Sequence, residues 1–396
     1  MNPALAHLKD YPFQRLAALK ADLSPPADID HIALSIGEPK HSAPPFVVEH
    51  LRDGDALRAS LGTYPATRGS DALREAIAGW CARRFDAHLD PATQILPCSG
   101  TREALFSFGQ SVLSGAPESI GMLPNPFYQI YEGALIMRGA TPYYLATPAE
   151  RGFLPDFGAV PESIWRRTEL LYLCSPGNPT GAVTGLADYE QLLELRDRYG
   201  FVIAADECYS EIYADEAPLG LLEACARTGR DSFTGCVAFN SLSKRSNLPG
   251  LRSGFVAGDA RLIAPFFDYR TYHGCAMPAL VQSASALAWA DEAHVSTNRA
   301  AYREKFSRIT PVLAEVLDVS APPAGFFLWP RTPKGGEAFT RELFERAHVT
   351  VLPGAYLSRR GADGSNPGFD HVRIALVAPL DECVEAAQRI RASVAR

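Results

Sequence analysis

Residues 237–244 read VAFNSLSK, an apolar run that ends directly in two serines and a lysine. Residues 201–209 read FVIAADECY, a second apolar run that ends in two acids. A carboxylate or an ammonium group at the end of a buried strand loses hydration energy unless it meets a partner. In an open α/β sheet the carboxyl ends of the strands form the ligand-binding edge, so these endings predict a polar site there.

Short apolar runs alternate with longer amphipathic segments over most of the chain. This pattern predicts a doubly wound, mostly parallel α/β sheet. The pattern changes near residue 285, where a long polar helix from about His294 to Leu317 leads into a smaller α+β region and a final helix near Asp381–Arg396. The predicted strands contain Ile95–Leu96, Ile120–Leu123, Leu170–Cys174, Phe201–Ala205, Val237–Phe239 and Phe255–Ala257, and the predicted helices include Ala72–Phe85, Glu103–Leu113, Tyr128–Met137 and Ala187–Tyr199.

We expect two lobes of unequal size. Residues 1–44 are rich in proline and contain one short extended run, Ile32–Ile36, so they are predicted to form an N-terminal arm and part of the small domain. Residues 45–284 are predicted to form the large domain, and residues 285–396 the small C-terminal domain. A chain of 396 residues is long enough to bury such cores without disulfides or metals.

Composition excludes several classes of function. Hydrophobic residues make up 47% and charged residues 21%, as in ordinary globular enzymes. The formal charge of −7 argues against a nucleic-acid partner, and no apolar run approaches the roughly 20 residues that span a bilayer. The eight cysteines form no C-x-x-C pair, so we expect reduced thiols, no metal site and a cytoplasmic location.

Two loops follow predicted strands. Ser99–Arg102 opens a predicted helix, whose free N–H groups suit a phosphate, although a simple N-cap explains the same residues. The loop at residues 175–181, SPGNPTG, places two prolines around Asn178 and makes a rigid turn that can aim one amide side chain. The alternative is that this loop is an ordinary structural turn without a functional role.

Two further motifs carry ionisable groups. Asp206 ends a core strand, where it needs either a ligand or an ion pair or a helix cap. Lys244 follows the next strand, and desolvation would lower the pKa of its amine and make it a nucleophile for Schiff-base chemistry. The alternative for Lys244 is an ordinary surface lysine.

In this order and at these spacings the motifs resemble those of the fold-type-I pyridoxal-phosphate enzymes, specifically the class I and II aminotransferases. The resemblance extends from Ser35–Pro39 to His371–Ile374 and includes Tyr64-Pro65 and Leu73-Arg74. It implies pyridoxal 5'-phosphate (PLP) as cofactor. It also implies a large domain with a mostly parallel seven-stranded sheet between helices, and a smaller α+β domain.

The resemblance implies catalytic roles for three residues. Lys244 would hold the cofactor as an aldimine and act as general acid and base, and Asp206 would pair with the pyridinium nitrogen. Tyr209 would donate to the phenolate oxygen of the cofactor, and Asn178 would bind the same oxygen. Tyr128 would stack on the ring, with Phe127 as the alternative. The phosphate would be bound by Gly100, Thr101, the Arg102 N–H, Ser241, Ser243 and Arg252.

Substrate binding and assembly follow from the same resemblance. Arg373 would bind the α-carboxylate of small amino-acid and 2-oxo-acid substrates, helped by the Gly37 N–H. Tyr64 would reach the phosphate in the neighbouring subunit, so a homodimer with shared active sites is expected.

A narrower resemblance concerns the succinyldiaminopimelate aminotransferases. It implies amino-group exchange between N-succinyl-diaminopimelate and 2-oxoglutarate, in the bacterial route to lysine and peptidoglycan precursors. Both substrates carry a distal carboxylate, for which Lys40 and Arg245 are candidate ligands unless they are solvated or pair with the partner subunit. The residues that carry this resemblance are Tyr11–Phe13, Ser35–His41, Pro124–Gly133, Ser243–Asn247 and Tyr272–Met277, of which Tyr272 and His273 are further candidates for the pocket.

Other functions stay open from the sequence. The chain could be an aminotransferase for aspartate, alanine or aromatic acids, because pocket residues outside the cofactor shell decide the substrate. A carbon–sulfur β-lyase would use the same cofactor but would need no oxo-acid acceptor. A regulator with a retained aminotransferase domain would need an added DNA-binding segment, for which the chain has no room.

Overall fold

The structure is a computed structural model that describes residues 1–361 and 364–395. The strands are β1 Ile32–Ala33, β2 Ile95–Cys98, β3 Ile120–Asn125, β4 Thr141–Ala146, β5 Thr168–Cys174, β6 Val202–Asp206, β7 Cys236–Ser241, β8 Gly254–Gly258, β9 Phe327–Leu328, β10 Val349–Thr350, β11 Leu352–Pro353 and β12 Val372–Ala375. The helices are α1 Pro12–Leu19, α2 Pro45–Leu51, α3 Gly54–Leu61, α4 Asp71–Phe85, α5 Thr101–Val112, α6 Gln129–Arg138, α7 Glu162–Trp165, α8 Leu186–Tyr199, α9 Leu221–Arg227, α10 Leu242–Arg245, α11 Ala260–His273, α12 Ala279–Ala290, α13 Ala293–Ala314, α14 Gly336–Ala347 and α15 Leu380–Val394.

Seven strands form one sheet in the order β2-β8-β7-β6-β5-β3-β4. β8 runs antiparallel to both of its neighbours, and the other neighbouring pairs are parallel. Every residue of β3 and β7 is buried, as expected for a sheet covered on both faces. One apolar cluster contains Trp80 and Trp289, and a second contains Phe108 and Phe239. The predicted α/β fold with a mostly parallel seven-stranded sheet is confirmed.

The edge strand β4 is missing from the predicted strands. It pairs with β3 alone within this sheet, and of its six residues only Leu145 is buried. A proline, Pro142, lies inside it, which an edge strand tolerates because one side of its backbone needs no ladder partner. A search for apolar runs therefore cannot find it.

The smaller α+β region joins the two ends of the chain. β1 pairs in parallel with β10, so Ile32 lies opposite Val349, and β9, β11 and β12 form an antiparallel sheet. Leu34 packs in one core with Leu313 of α13 and Ile390 of α15. The predicted final helix ends at Val394, and Arg396 lies outside the described residues.

The domain boundaries stay predictions. The proposed boundary at residue 284 lies inside α12, whose residues Ala288 and Trp289 share a core with Trp80 of α4. Leu313 of α13, in contrast, belongs to the core of the smaller region. We propose that the large domain ends with α12.

Helix α6 packs directly on the backbone of β3 at Gly121. A Cβ atom there would lie 2.0 Å from Cδ2 of the buried Leu135. We expect Gly121→Ala to lower the free energy of unfolding by about 1–3 kcal/mol, because the core must shift to accept the methyl group. Urea denaturation followed by circular dichroism measures the change.

The matched control is Gly133→Ala in α6, where the nearest atom to an added Cβ is 4.0 Å away. This substitution is expected to be neutral or stabilising, because alanine favours a helix over glycine by about 1 kcal/mol. Equal losses in both variants would contradict the close contact at Gly121.

Candidate active site

A cavity of about 500 Å³ opens at the carboxyl ends of the parallel strands. It is lined by residues that follow β5, β6 and β7 and by residues of the smaller region. All the predicted site residues except Gly100 and Tyr64 line it. These are Gly37, Thr101, Arg102, Tyr128, Asn178, Asp206, Tyr209, Ser241, Ser243, Lys244, Arg252 and Arg373.

Lys244 lies on α10, the short helix that begins where β7 ends. Its Nζ atom donates a hydrogen bond to the Gly37 carbonyl oxygen at 2.5 Å. Burial lowers the pKa of Lys244 to about 8, with smaller electrostatic effects from neighbouring groups. A substantial fraction of the amine is therefore unprotonated under mildly alkaline conditions, which a nucleophile for carbonyl carbon requires.

Asp206 is the last residue of β6 and is 4% exposed. Its Oδ2 accepts from the Tyr131 hydroxyl at 2.7 Å, and its Oδ1 accepts from the Cys208 N–H at 3.2 Å. Burial raises the pKa of the Asp206 carboxyl, and these hydrogen bonds oppose the shift. In the described part of the chain no cation lies within ion-pair distance of this carboxylate, so a positively charged ligand group would complete it.

Arg373 of β12 is a buried cation for which the described part of the chain provides no acidic partner. Its Nη1 donates to Asn178 Oδ1 at 2.9 Å, and its Nη2 donates to the Ser35 carbonyl at 2.7 Å. Burial lowers the pKa of Arg373 to about 10, and its Nε has no hydrogen-bond partner among residues 1–361 and 364–395. The guanidinium lies 4.4 Å from the centre of the Phe327 ring, and a carboxylate suits such a fork.

Helix α5 presents its N-terminus to the cavity at Thr101, beside Arg252. Among the residues that the structure describes, Arg252 donates only to the carbonyls of Pro249 and Ser99, at 2.9 and 3.4 Å, and no acid pairs with its charge, which suits an anion. Gly100 has φ +84°, and a Cβ there would lie 2.1 Å from Arg252 Nη2. A helix N-terminus and a guanidinium together suit a phosphate group.

Hydroxyl groups complete this anion-binding corner. Ser241 Oγ donates to the Ser253 carbonyl at 3.1 Å, lies 2.9 Å from Ser243 Oγ and accepts from the Ser243 N–H. Thr101 Oγ1 lies 3.0 Å from Cys208 Sγ.

The two aromatic candidates for stacking on the cofactor lie in different surroundings. Tyr128 lines the cavity, whereas Phe127 is fully buried and stacks on Tyr144. Because Tyr128 faces the cavity and Phe127 does not, Tyr128 stays the predicted stacking residue. Burial raises the pKa of Tyr128.

Arg102 donates to the hydroxyl of Tyr11, a cavity residue for which the sequence predicted no role.

Several candidate residues lie elsewhere. Tyr64 is 98% exposed and Tyr272 is 95% exposed, and neither lines the cavity of its own chain. His273 contacts Cys275 Sγ through Nδ1 at 2.9 Å. The role of Tyr64 in a neighbouring subunit stays a prediction.

Arg245 is not a ligand for a substrate carboxylate. It is 2% exposed, forms an ion pair with Glu292 at 2.8 Å and donates to the Ala288 carbonyl at 2.7 Å. Both alternatives raised from the sequence, a distal-carboxylate contact and a solvated or partner-bound side chain, are wrong. Adjacent helical residues point in different directions, so Arg245 faces the core when Lys244 faces the cavity.

Comparison with known proteins identifies the family. The profile for aminotransferase class I and II matches residues 29–390. The chain belongs to this family. This aminotransferase is 30% identical to the LL-diaminopimelate aminotransferase of Aquifex aeolicus, over 92% of this chain and 91% of that protein.

Two solved structures are similar over nearly the whole chain. An aminotransferase from Neisseria meningitidis is 47% identical, with a TM-score of 0.94 and full coverage of both chains. A probable N-succinyldiaminopimelate aminotransferase from Thermus thermophilus is 28% identical, with a TM-score of 0.83 over 96% of this chain and 99% of that one. None of the helices among the described residues is long and apolar enough to cross a membrane.

Enzymes of this family depend on PLP, and so does this aminotransferase. The charges of its cavity fit that cofactor. Asp206 has no cationic partner within residues 1–361 and 364–395 and is suited to a protonated ring nitrogen, and Arg252 with the α5 N-terminus suits a phosphate. The amine of Lys244 lies on the wall of the same cavity.

Gly100 provides a test of phosphate binding. We expect Gly100→Ala to weaken PLP binding about 10-fold to 100-fold, because the methyl group displaces the Arg252 guanidinium and removes a charge-assisted contact. Absorbance titration of the cofactor-depleted protein with PLP measures the dissociation constant. Pyridoxal, which lacks the phosphate, should lose much less affinity.

The matched control is Gly335→Ala, at the N-cap of α14. Gly335 has φ +85° and ψ 150°, close to φ +84° and ψ 152° at Gly100, and the nearest atom to an added Cβ is 3.5 Å away. This variant carries similar backbone strain without moving Arg252, so its PLP affinity should match the wild type. Equal losses for PLP and pyridoxal in Gly100→Ala would remove the phosphate from this corner.

Proposed function

We propose that this aminotransferase exchanges an amino group between N-succinyl-diaminopimelate and 2-oxoglutarate, within lysine and diaminopimelate biosynthesis. The proposal rests on one observation above all. The buried Arg373 has no carboxylate partner in the described chain and lines the same cavity as the Lys244 amine and the Asp206 carboxylate. An α-amino acid offers the carboxylate that this arginine lacks.

Each residue has a distinct task in this proposal. PLP, when bound, supplies an electron sink for the bonding electrons of the substrate Cα–H bond. The Asp206 carboxylate holds a proton at the ring nitrogen, and the Lys244 amine removes and returns the proton at Cα. Arg373 orients the substrate through its α-carboxylate, and Asn178 holds the guanidinium in place.

A second cation supports a dicarboxylic substrate. Arg102 lines the cavity and donates to the Tyr11 hydroxyl, and no acid lies within ion-pair distance of it in the residues the structure covers. Its guanidinium is a candidate ligand for the distal carboxylate that glutamate and diaminopimelate compounds share. The phosphate contact predicted for Arg102 uses only its backbone N–H, so the side chain is available for this role.

LL-diaminopimelate is the second candidate substrate. The curated relative from Aquifex aeolicus acts, by its name, on that compound, whereas the Thermus thermophilus structure is named for the succinylated one. Both compounds offer the same α-amino acid group to Arg373 and a carboxylate at the distal end. They differ in whether the distal amine is acylated.

We also propose a homodimer. Tyr64, Tyr272 and Leu61 are large side chains exposed to 98%, 95% and 78%, and burial between two subunits would remove their apolar surface from water. In such a dimer Tyr64 would reach the phosphate of the neighbouring subunit.

The absorbance spectrum of PLP-loaded protein tests the proposed site and the substrate together. We expect a visible band that glutamate and N-succinyl-LL-diaminopimelate both convert to the pyridoxamine form. Lys244→Ala should lack the covalent band, because no other amine is predicted to hold the cofactor. A band that survives dialysis in this variant would refute the role of Lys244. Conversion by LL-diaminopimelate but not by the succinylated compound would select the second candidate.

Arg102→Met tests the distal-carboxylate contact. We expect KM for glutamate to rise by tenfold or more, since a charge-assisted hydrogen bond contributes about 1.5–3 kcal/mol. Alanine has no distal carboxylate and serves as the control substrate, whose kcat/KM should change little. An unchanged PLP spectrum would show that the cofactor site is intact. Parallel losses for glutamate and alanine would exclude a distal contact.

A further inference from the structure

A buried lysine outside the cavity lacks an acidic partner. Lys305 of α13 is 2% exposed, and none of the described residues places a carboxylate within 4 Å of its Nζ. It contacts His41 Nε2 at 2.7 Å and the Leu376 carbonyl at 3.1 Å. Burial lowers the pKa of Lys305 to about 8, so at neutral pH most molecules keep this charge. An unpaired buried charge is costly, and its presence requires an explanation.

The donor at Lys305 fixes which atoms donate and which accept in the hydrogen bonds that follow it. An ammonium group only donates, so His41 Nε2 accepts and the ring proton lies on Nδ1. Nδ1 lies 2.9 Å from Asn298 Oδ1 and donates to it. The amide nitrogen of Asn298 is then turned towards α10, where it donates to the carbonyls of Lys244 at 3.2 Å and Arg245 at 3.3 Å. A continuous chain of hydrogen bonds joins Lys305 to the backbone of Lys244.

This hydrogen-bond chain provides donors for the last carbonyl groups of α10. Helix α10 has only four residues, and the last carbonyls of a helix have no partner within it. Asn298 satisfies two of them. Asn247 donates to the same Asn298 oxygen at 2.9 Å, which further fixes the orientation of the amide.

The same network reaches the other end of the Lys244 side chain. Gly37, whose carbonyl accepts from Lys244 Nζ, lies four residues before His41 in the chain. Asn298 and Lys305 are seven residues apart on α13 and therefore share one face of it. The network thus ties the backbone of Lys244 and the segment that contacts its amine to one helix.

We propose that Lys305 and His41 are positioning residues for Lys244. The hydrogen-bond chain through Asn298 holds the Lys244 backbone and the Gly37 segment at a fixed separation, and so sets where the amine lies in the cavity. This inference rests on the proposed role of Lys244. A displacement of about 1 Å at a reacting group can lower the rate about a hundredfold, so a remote contact of this kind has kinetic consequences.

The test uses PLP-loaded Lys305→Met and His41→Asn with glutamate as substrate. We expect kcat to fall about tenfold or more while KM changes less than about twofold, because Arg373 and Arg102, the main proposed substrate contacts, lie outside this network. The pH midpoint of the visible band should move by about 0.5 unit or more, in the same direction in both variants. The double variant should lose no more than the worse single variant, because both act through one chain.

A second lysine and histidine pair provides the matched control. Lys20 Nζ and His31 Nε2 both contact Thr350 Oγ1, at 2.9 and 2.8 Å, and burial lowers the pKa of each. Within the part of the chain that the structure describes, no hydrogen bond joins Lys20 or His31 to Lys244. Lys20→Met and His31→Asn should therefore leave kcat and the band midpoint unchanged, whatever they do to the melting temperature.

The outcomes separate the two proposals. If Lys305→Met and His41→Asn lower the melting temperature but leave kcat and the band midpoint unchanged, the network is structural and the positioning role is overturned. If Lys305→Met does not fold, His41→Asn decides alone, since His41 is only partly buried. If Lys244→Ala keeps a covalent band, the role of Lys244 itself is refuted. If Lys244→Ala loses the band but His41→Asn has the kcat and band midpoint of the wild type, only the positioning role is refuted.

Discussion

The chemistry of this cavity depends on the desolvation of one amine. Lys244 lies in the four-residue helix α10 at the end of β7, and the walls of the cavity bury its amine away from water. Desolvation penalises the ammonium form more than the neutral amine, so the pKa falls to about 8. Electrostatic interactions with Cys208 and Glu38 oppose that fall, whereas the guanidinium groups of Arg373 and Arg252 add to it. The fold thus keeps the amine close to the protonation equilibrium that a base and nucleophile require.

Two other charges of the cavity are also desolvated, and neither has an oppositely charged partner in the described part of the chain. Asp206 has hydrogen-bond donors but no cation there, and Arg373 has acceptors but no acid. Such groups lower the stability of the protein without ligand, and a ligand with matching charges recovers that free energy on binding. They are oriented before the ligand arrives, by Tyr131 for Asp206 and by Asn178 for Arg373, so little reorganisation is needed in the reaction.

The sequence predicts those parts of the site that directly follow a strand. A parallel strand is a continuous apolar run, and its polar ending marks the edge of the sheet, so Asp206, Lys244 and the Asn178 loop could be predicted as one site. The edge strand β4 escaped because an edge needs neither continuous burial nor every ladder bond. The direction of Arg245 escaped because one step along a helix turns a side chain by about 100°, from cavity to core.

Contacts between distant segments could not be predicted, because no short pattern encodes them. Tyr131 and Asp206 lie 75 residues apart, and the sequence at the start of α6 does not show whether Tyr128 or Tyr131 reaches that carboxylate. His41 and Lys305 lie 264 residues apart, and each alone is an unremarkable polar residue. Only the packing of α13 against the N-terminal segment removes Lys305 from water and gives it His41 as acceptor. A buried charge without an acid is therefore visible only after folding. The cost of such a charge in stability, together with the hydrogen-bond chain that runs from Lys305 to the Lys244 backbone, is what marks Lys305 as more than a core residue.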